Sequence, residues 1–101
     1  MPPTLRFTPR AEADLDSIAE HTLTTWGERQ CARYINALQT CCEQLAANPK
    51  LGKACDSIRP GLRCFSQGRH VVFFAVETGG ILVARVLHDR MLPNLHLVDD
   101  E

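Results

Sequence analysis

Two apolar runs without polar alternation constrain this chain most. Val71-Val72-Phe73-Phe74-Ala75-Val76 and Ile81-Leu82-Val83-Ala84 are separated by Glu77 and the turn signal Thr78-Gly79-Gly80. Runs of this length joined by a glycine turn read as adjacent antiparallel strands. A sheet with one wet face alternates apolar and polar residues along each strand. Neither run does so, and both faces of the sheet therefore need cover.

The rest of the chain supplies cover for one face. Leu62 to Ser66 reads as a strand that Gln67-Gly68 turns into His70–Val76, and Ile81–His88 completes a three-stranded meander. Leu5-Arg6-Phe7 is a short strand. Thr8-Pro9 follows as N-cap and first helical residue, with Glu12 and Asp14 near the positive end of the helix dipole. Ala11, Leu15, Ile18, Ala19, Thr22 and Trp26 repeat every three or four residues, which predicts a helix ending near Thr25 before Gly27. Cys31, Ile35, Leu38, Cys42 and Leu45, flanked by Tyr34 and Cys41, predict a second helix from Glu28 to about Ala47, stopped by Asn48-Pro49. Lys50 to Asp56 reads as a polar connector. The expected fold is a single α+β domain over residues 1–101: a short N-terminal strand, an antiparallel helical hairpin, then a three-stranded antiparallel meander. The hairpin covers one sheet face. The other is left to the C-terminal residues Leu92, Leu95, Leu97 and Val98 or to another chain.

Net charge is −1, which argues against a general polyanion binder. Its distribution is uneven: Arg59, Arg63, Arg69, Arg85 and Arg90 face only Glu77 and Asp89 between Ser57 and Arg90, and Asp99, Asp100 and Glu101 close the chain. Met1-Pro2-Pro3-Thr4 leads straight into a strand, so no signal peptide is expected. No apolar run nears the ~20 residues of a membrane helix, and a cytoplasmic protein is expected. Cys31, Cys41, Cys42, Cys55 and Cys64 lack metal-ligand spacing and are read as buried free thiols.

The search for chemistry finds little. His21 and His96 read as surface residues, no His pair has metal spacing, and Gly79-Gly80 lacks the lysine and helix of a phosphate loop. No metal or cofactor is expected. Cys64, inside an apolar strand, reads as an inert core thiol. Metal-independent RNA cleavage would need a base, an acid and cations, for which Arg63, Arg69, Arg85 and His88 are the candidates. Arg85 and His88 are three residues apart and converge only if the strand twists or bulges near Leu87. Tyr34, on a helix, is a poor candidate for a site on the sheet. Arg85 interrupts an apolar strand and needs a carboxylate (Asp89 or a helix acid), a carbonyl, solvent or a ligand.

In order along the chain, Phe7-Thr8-Pro9-Arg10-Ala11, Asn48-Pro49-x-x-Gly52, Arg59-Pro60-Gly61-Leu62-Arg63, Gly68-Arg69-His70 and Arg85-Val86-Leu87-His88-Asp89-Arg90-Met91 resemble the RelE/ParE toxin superfamily of type II toxin–antitoxin modules, and the ParE branch most. The resemblance implies a non-enzymatic toxin that inhibits DNA gyrase, serves plasmid stabilisation or stress response, and is neutralised by a ParD-like antitoxin. Contact with operator DNA would be indirect, through that antitoxin. Arg63, Arg69, His70, Arg85, His88 and Arg90 are the candidate target-binding residues. The RelE-like branch implies a ribosome-dependent mRNA endonuclease, for which Arg63, Arg85 and His88 would be the catalytic set. That branch often carries a tyrosine after the sheet, and this chain has none there. A non-toxic antitoxin-binding module of the same fold is the third reading.

Overall fold

A computed structural model of the chain describes residues 2–91 and 93. Strand β1 (Thr4–Phe7) leads into helix α1 (Pro9–Trp26), helix α2 (Glu28–Ala47), a 3-10 turn (Pro49–Leu51) and strand β2 (Lys53–Ala54). Strands β3 (Leu62–Gln67), β4 (His70–Glu77) and β5 (Gly80–His88) follow. The five strands form one sheet in the order β1-β5-β4-β3-β2. The expected meander is its centre. Sequence reasoning missed β2, which lies in the polar connector: Lys53 and Ala54 pair with Cys64 and Arg63.

Local chemistry sets the helix ends. Thr8 caps α1, its Oγ1 accepting from Ala11 N at 3.0 Å. The same hydroxyl donates to Ala84 O at 2.7 Å, and Thr8 N donates to Val83 O at 3.0 Å. One residue thus starts the helix and ties it to β5 where the pairing with β1 ends. Gly27, at φ +90°, turns the chain from α1 into α2, a conformation that side-chain-bearing residues rarely adopt.

The β1–β5 pairing is parallel and runs from Thr4 opposite Gly80 to Phe7 opposite Val83. A Cβ on Gly80 would sit 2.0 Å from Thr4 O, so only glycine lets β1 approach here.

Both sheet faces are packed. The hairpin buries Ala11, Ile18, Leu38, Cys42 and Leu45 against Val72, Phe74, Ile81, Val83 and Val86. The opposite face holds a smaller cluster of Leu62, Cys64, Phe73 and Leu87, on which Cys55 and Ile58 of the β2–β3 loop pack. Part of the cover required by the unbroken apolar runs therefore comes from the β2–β3 loop, which begins inside the Lys50–Asp56 stretch read as a polar connector. The other expected cover, Leu92, Leu95, Leu97 and Val98, lies outside the described residues, as do His96 and the acids at 99–101. Two further expectations are corrected. Trp26 ends the α1 stripe but is 70 % exposed, at the rim of a groove rather than in the core. Cys31 and Cys55 are only half-buried, unlike the buried Cys41, Cys42 and Cys64. Among the described residues, no helix is long and apolar enough to cross a membrane.

Candidate functional site

The six residues singled out as target-binding separate into two groups. Arg69, His70, His88 and Arg90 meet at one end of the sheet. His70 and His88 are directly paired across β4 and β5, and Asp89 N donates to Arg69 O at 2.9 Å, closing that end. Arg63 is elsewhere, and Arg63 and Arg85 are each held by bonds within the chain.

Arg63 lies in the row of Phe74, on the helix side of the sheet. Its Nε donates to Pro49 O at 3.1 Å and its Nη2 to Gly52 O at 2.5 Å. The guanidinium thereby fixes the turn after α2 to β3. Arg85 finds a helix acid: its Nε donates to Asp14 Oδ2 at 2.8 Å and its Nη2 to Asp14 Oδ1 at 2.9 Å. Asp14 Oδ2 also accepts from Val86 N at 2.9 Å. β1 pairs with β5 only as far as Val83, and Asp14 takes up a backbone donor on the open edge beyond.

The bulge near Leu87 on which a convergence of Arg85 and His88 was conditional is not there. The register shift lies between Phe73 and Phe74, opposite the extra residue Ala84, and pairing from Arg85 to His88 is unbroken. Arg85 shares a row with Phe73 of the second face, whereas His88 shares one with His70 on the helix side. The Arg85 guanidinium nevertheless reaches Asp14, which lines the same groove as His88, so Arg63 is the member of the set that stands apart. Along β4, Arg63 and His88 are four rows apart, on the order of 13 Å of strand.

The sheet end carrying the histidines forms one wall of a groove of about 610 Å³. α1 contributes Asp14, Ser17, Ile18, His21, Thr22 and Trp26, and α2 contributes Gln30 and Tyr34. The β3–β4 turn adds Gly68 and Arg69, and Val86 and Met91 complete the lining. Leu23, Trp26 and Met91 are all exposed large apolar residues, and the last two belong to this lining.

Tyr34 is the residue that sequence reasoning misplaced. Its hydroxyl lies 2.6 Å from His70 Nδ1, accepts from Arg69 N at 3.0 Å and is 3.3 Å from Gln67 O. A single hydroxyl hydrogen serves either Gln67 O or His70 Nδ1, and in the first case the ring donates from Nδ1 to the hydroxyl oxygen. A helical tyrosine thus reaches the β3–β4 turn because Gly68, at φ +59°, leaves the room its ring occupies: a Cβ there would lie 2.7 Å from Tyr34 Cε1. The available signal was a lone tyrosine on the flank of the α2 stripe, with a glycine turn three elements away.

Burial holds the His70 pKa below its ordinary 6.5, and the neighbouring His88 pushes the same way. His88 faces it edge-on at 5.4 Å between ring centroids. His88 Nδ1 lies 3.0 Å from Asp89 Oδ1 and 3.1 Å from Arg90 N. A neutral ring accepts there from Arg90, and a protonated one donates to Asp89. The groove therefore joins an apolar floor to a histidine pair and the exposed Arg69, a surface that can hold an apolar or aromatic anchor beside polar contacts. Among the described residues, no three His, Cys, Asp or Glu side chains are placed to hold a metal ion.

Comparison with known proteins agrees over most of the chain. The family model described as "ParE toxin of type II toxin-antitoxin system, parDE" matches residues 5–93. Toxin ParE1 of Mycobacterium tuberculosis (strain ATCC 25618 / H37Rv) is 45 % identical over 86 residues, covering 84 % of this chain and 88 % of that protein. Toxin ParE1 of Caulobacter vibrioides is 38 % identical over 92 residues, covering 91 % and 95 %. Among solved structures, a chain of the chromosomal ParDE toxin–antitoxin system from P. aeruginosa superposes with a TM-score of 0.72 at 22 % identity, covering 86 % of this chain and 96 % of that one. One from the RelBE2 toxin–antitoxin complex of Mycobacterium tuberculosis gives 0.63 at 20 %, covering 87 % and 99 %. Motif order, five-stranded sheet and helical hairpin agree with these matches: the chain belongs to the ParE toxin family of type II toxin–antitoxin systems, within the RelE/ParE superfamily.

Proposed function

We propose that this chain is a cytoplasmic toxin that acts by binding rather than by bond cleavage, inhibiting DNA gyrase until a ParD-like antitoxin neutralises it. One observation carries the non-enzymatic reading. The set an RNA-cleaving member would use here is committed elsewhere, with Arg63 bound to the Pro49 and Gly52 carbonyls four rows from His88, and the Arg85 charge paired with Asp14. Membership in the ParE family supports the gyrase target. Arg69, His88 and Arg90 at the sheet end are then the contacts that meet it.

The antitoxin reading rests on the groove and on the P. aeruginosa relative, whose structure is of a ParDE system. An amphipathic segment would bury Trp26 and Met91, and the outer edge of β3 beyond Cys64, past the end of β2, offers backbone for strand addition. The experiment pairs a purified-gyrase supercoiling assay with a translation-coupled mRNA cleavage assay. Lost supercoiling with intact mRNA is expected; cleaved mRNA with unaffected supercoiling overturns the reading. The short contact between Tyr34 and His70, beside His88, is what favours the nuclease alternative. Normal growth on induction of soluble, folded protein without antitoxin would favour the non-toxic module.

A further inference from the structure

Two sulfurs meet on the sheet face away from the helices. Lys53 pairs with Cys64 and Ala54 with Arg63, and Cys55 N donates to Leu62 O at 2.8 Å. Residues two apart on a strand share a face, so Cys55, Leu62 and Cys64 project to one side, where they join the same cluster. The Sγ atoms of Cys55 and Cys64 are 2.6 Å apart, each the other's hydrogen-bond partner. Cys64 is 5 % exposed, whereas Cys55 is half-buried and open to an outside reagent.

We propose that Cys55 and Cys64 are a modification site that forms a reversible internal disulfide, fastening the 55–61 loop to β3. The oxidant is a low-molecular-weight disulfide, RSSR. The Cys55 thiolate attacks one sulfur of RSSR, forming Cys55–S–SR and releasing RS⁻. Cys64 then gives up its proton and attacks the Cys55 sulfur, expelling the second RS⁻ as the internal bond forms. The two protons lost by the cysteines leave with two molecules of RSH, and two electrons pass from the chain to the reagent.

The surroundings suit this order. Burial first, then the hydrogen bond from Cys55, pushes the Cys64 thiol up to about 11, which keeps it protonated until its partner has reacted. The other cysteines do not compete. Cys41 and Cys42 are buried, the latter pushed up to about 12 mainly by burial, and Cys31 Sγ donates to Ala19 O at 3.3 Å. The loop to be fastened is already shaped for closure: Ile58 N and Arg59 N both donate to Cys55 O, and Gly61 N donates to Asp56 Oδ1.

The test incubates the full-length chain with oxidised glutathione, quenches free thiols by alkylation and maps the tryptic peptides. A cross-linked pair of residues 54–63 and 64–69 is expected, because trypsin does not cut before Pro60. Dithiothreitol should release it, and the oxidised chain should melt about 10 °C higher than the reduced one. The Cys55→Ser variant, altered only at the half-buried position, should fold, form no link and show no melting shift. A stable glutathione adduct on Cys55 without the link, a link to Cys31, Cys41 or Cys42, or unreacted thiols after equilibration would each overturn the proposal.

Discussion

Removing Asp14 should unfold this domain more readily than any surface carboxylate would. Asp14 satisfies three donors at once: two from the Arg85 guanidinium at 2.8 and 2.9 Å, and Val86 N at 2.9 Å. Its side chain is 14 % exposed and that of Arg85 11 %, so neither is an ordinary solvated surface charge. In Asp14→Ala the guanidinium stays largely desolvated and a backbone donor on the β5 edge loses its acceptor. Breaking a buried pair from one side costs about 3–5 kcal/mol. The residual exposure argues for the lower figure, about 3 kcal/mol. For a domain of this size that lowers the melting temperature by about 12–24 °C.

The measurement is a double-mutant cycle in urea with Asp14→Ala, Arg85→Met and the pair. Removing both charges leaves no unpaired ion behind, so the double variant should be more stable than the sum of single losses predicts, with a coupling of about 2 kcal/mol. Strict additivity, or an Asp14→Ala loss below about 0.5 kcal/mol, would refute the pairing as the reason an arginine stands in an apolar strand.

Other outcomes follow from the same geometry. His70 is held below 6.5 by burial and by His88, with His21 adding to the effect and Asp89 and Asp14 opposing it. Between its folded pKa and 6.5 the unfolded chain binds the proton that the folded one refuses, so the His70 contribution is complete above 6.5 and is lost as pH falls through the folded value; urea midpoints at pH 7.5 and 5.5 should diverge more in wild type than in His70→Gln. Gly80→Ala should cost about 3 kcal/mol, because the added Cβ meets Thr4 O at 2.0 Å and backbone must move. Gly79→Ala, with nothing within 4 Å, should cost only about 1 kcal/mol of backbone strain at φ +81°; equal losses in denaturation would disprove the close approach of β1. Trp26→Ala should leave stability within about 0.5 kcal/mol, yet weaken binding of the antitoxin about 30-fold by titration calorimetry if Trp26 anchors it in the groove.

The legible part of this molecule was whatever a local pattern dictates. Thr8-Pro9 marked the start of α1 and Asn48-Pro49 the stop of α2, and the structure ends α2 at Ala47. Glycine turns separated β3, β4 and β5 where the structure does. The illegible part was long-range. Nothing in Lys53-Ala54 announces a strand, because two residues carry no period and their pairing is supplied by Cys64 and Arg63. Whether Arg85 pairs with Asp89 or with a helix acid depends on how α1 crosses β5, and 71 residues of chain separate it from Asp14.

The same reasoning explains why the basic candidates split. Sequence counts arginines but does not tell which carbonyls will surround them. Arg63 lies beside the turn after α2, where the Pro49 and Gly52 carbonyls accept its donors. Arg69 and Arg90 stay exposed at the sheet end. A charge enclosed by carbonyls or a carboxylate is already committed to folding, and a partner could recruit it only by displacing those bonds at several kcal/mol. The exposed pair costs a partner little to desolvate. Partner binding should therefore respond to Arg69→Ala and Arg90→Ala without loss of stability, while Arg63→Ala lowers stability first and affects binding only through it. Equal melting temperatures for all three variants would show that Arg63 is not committed in this way.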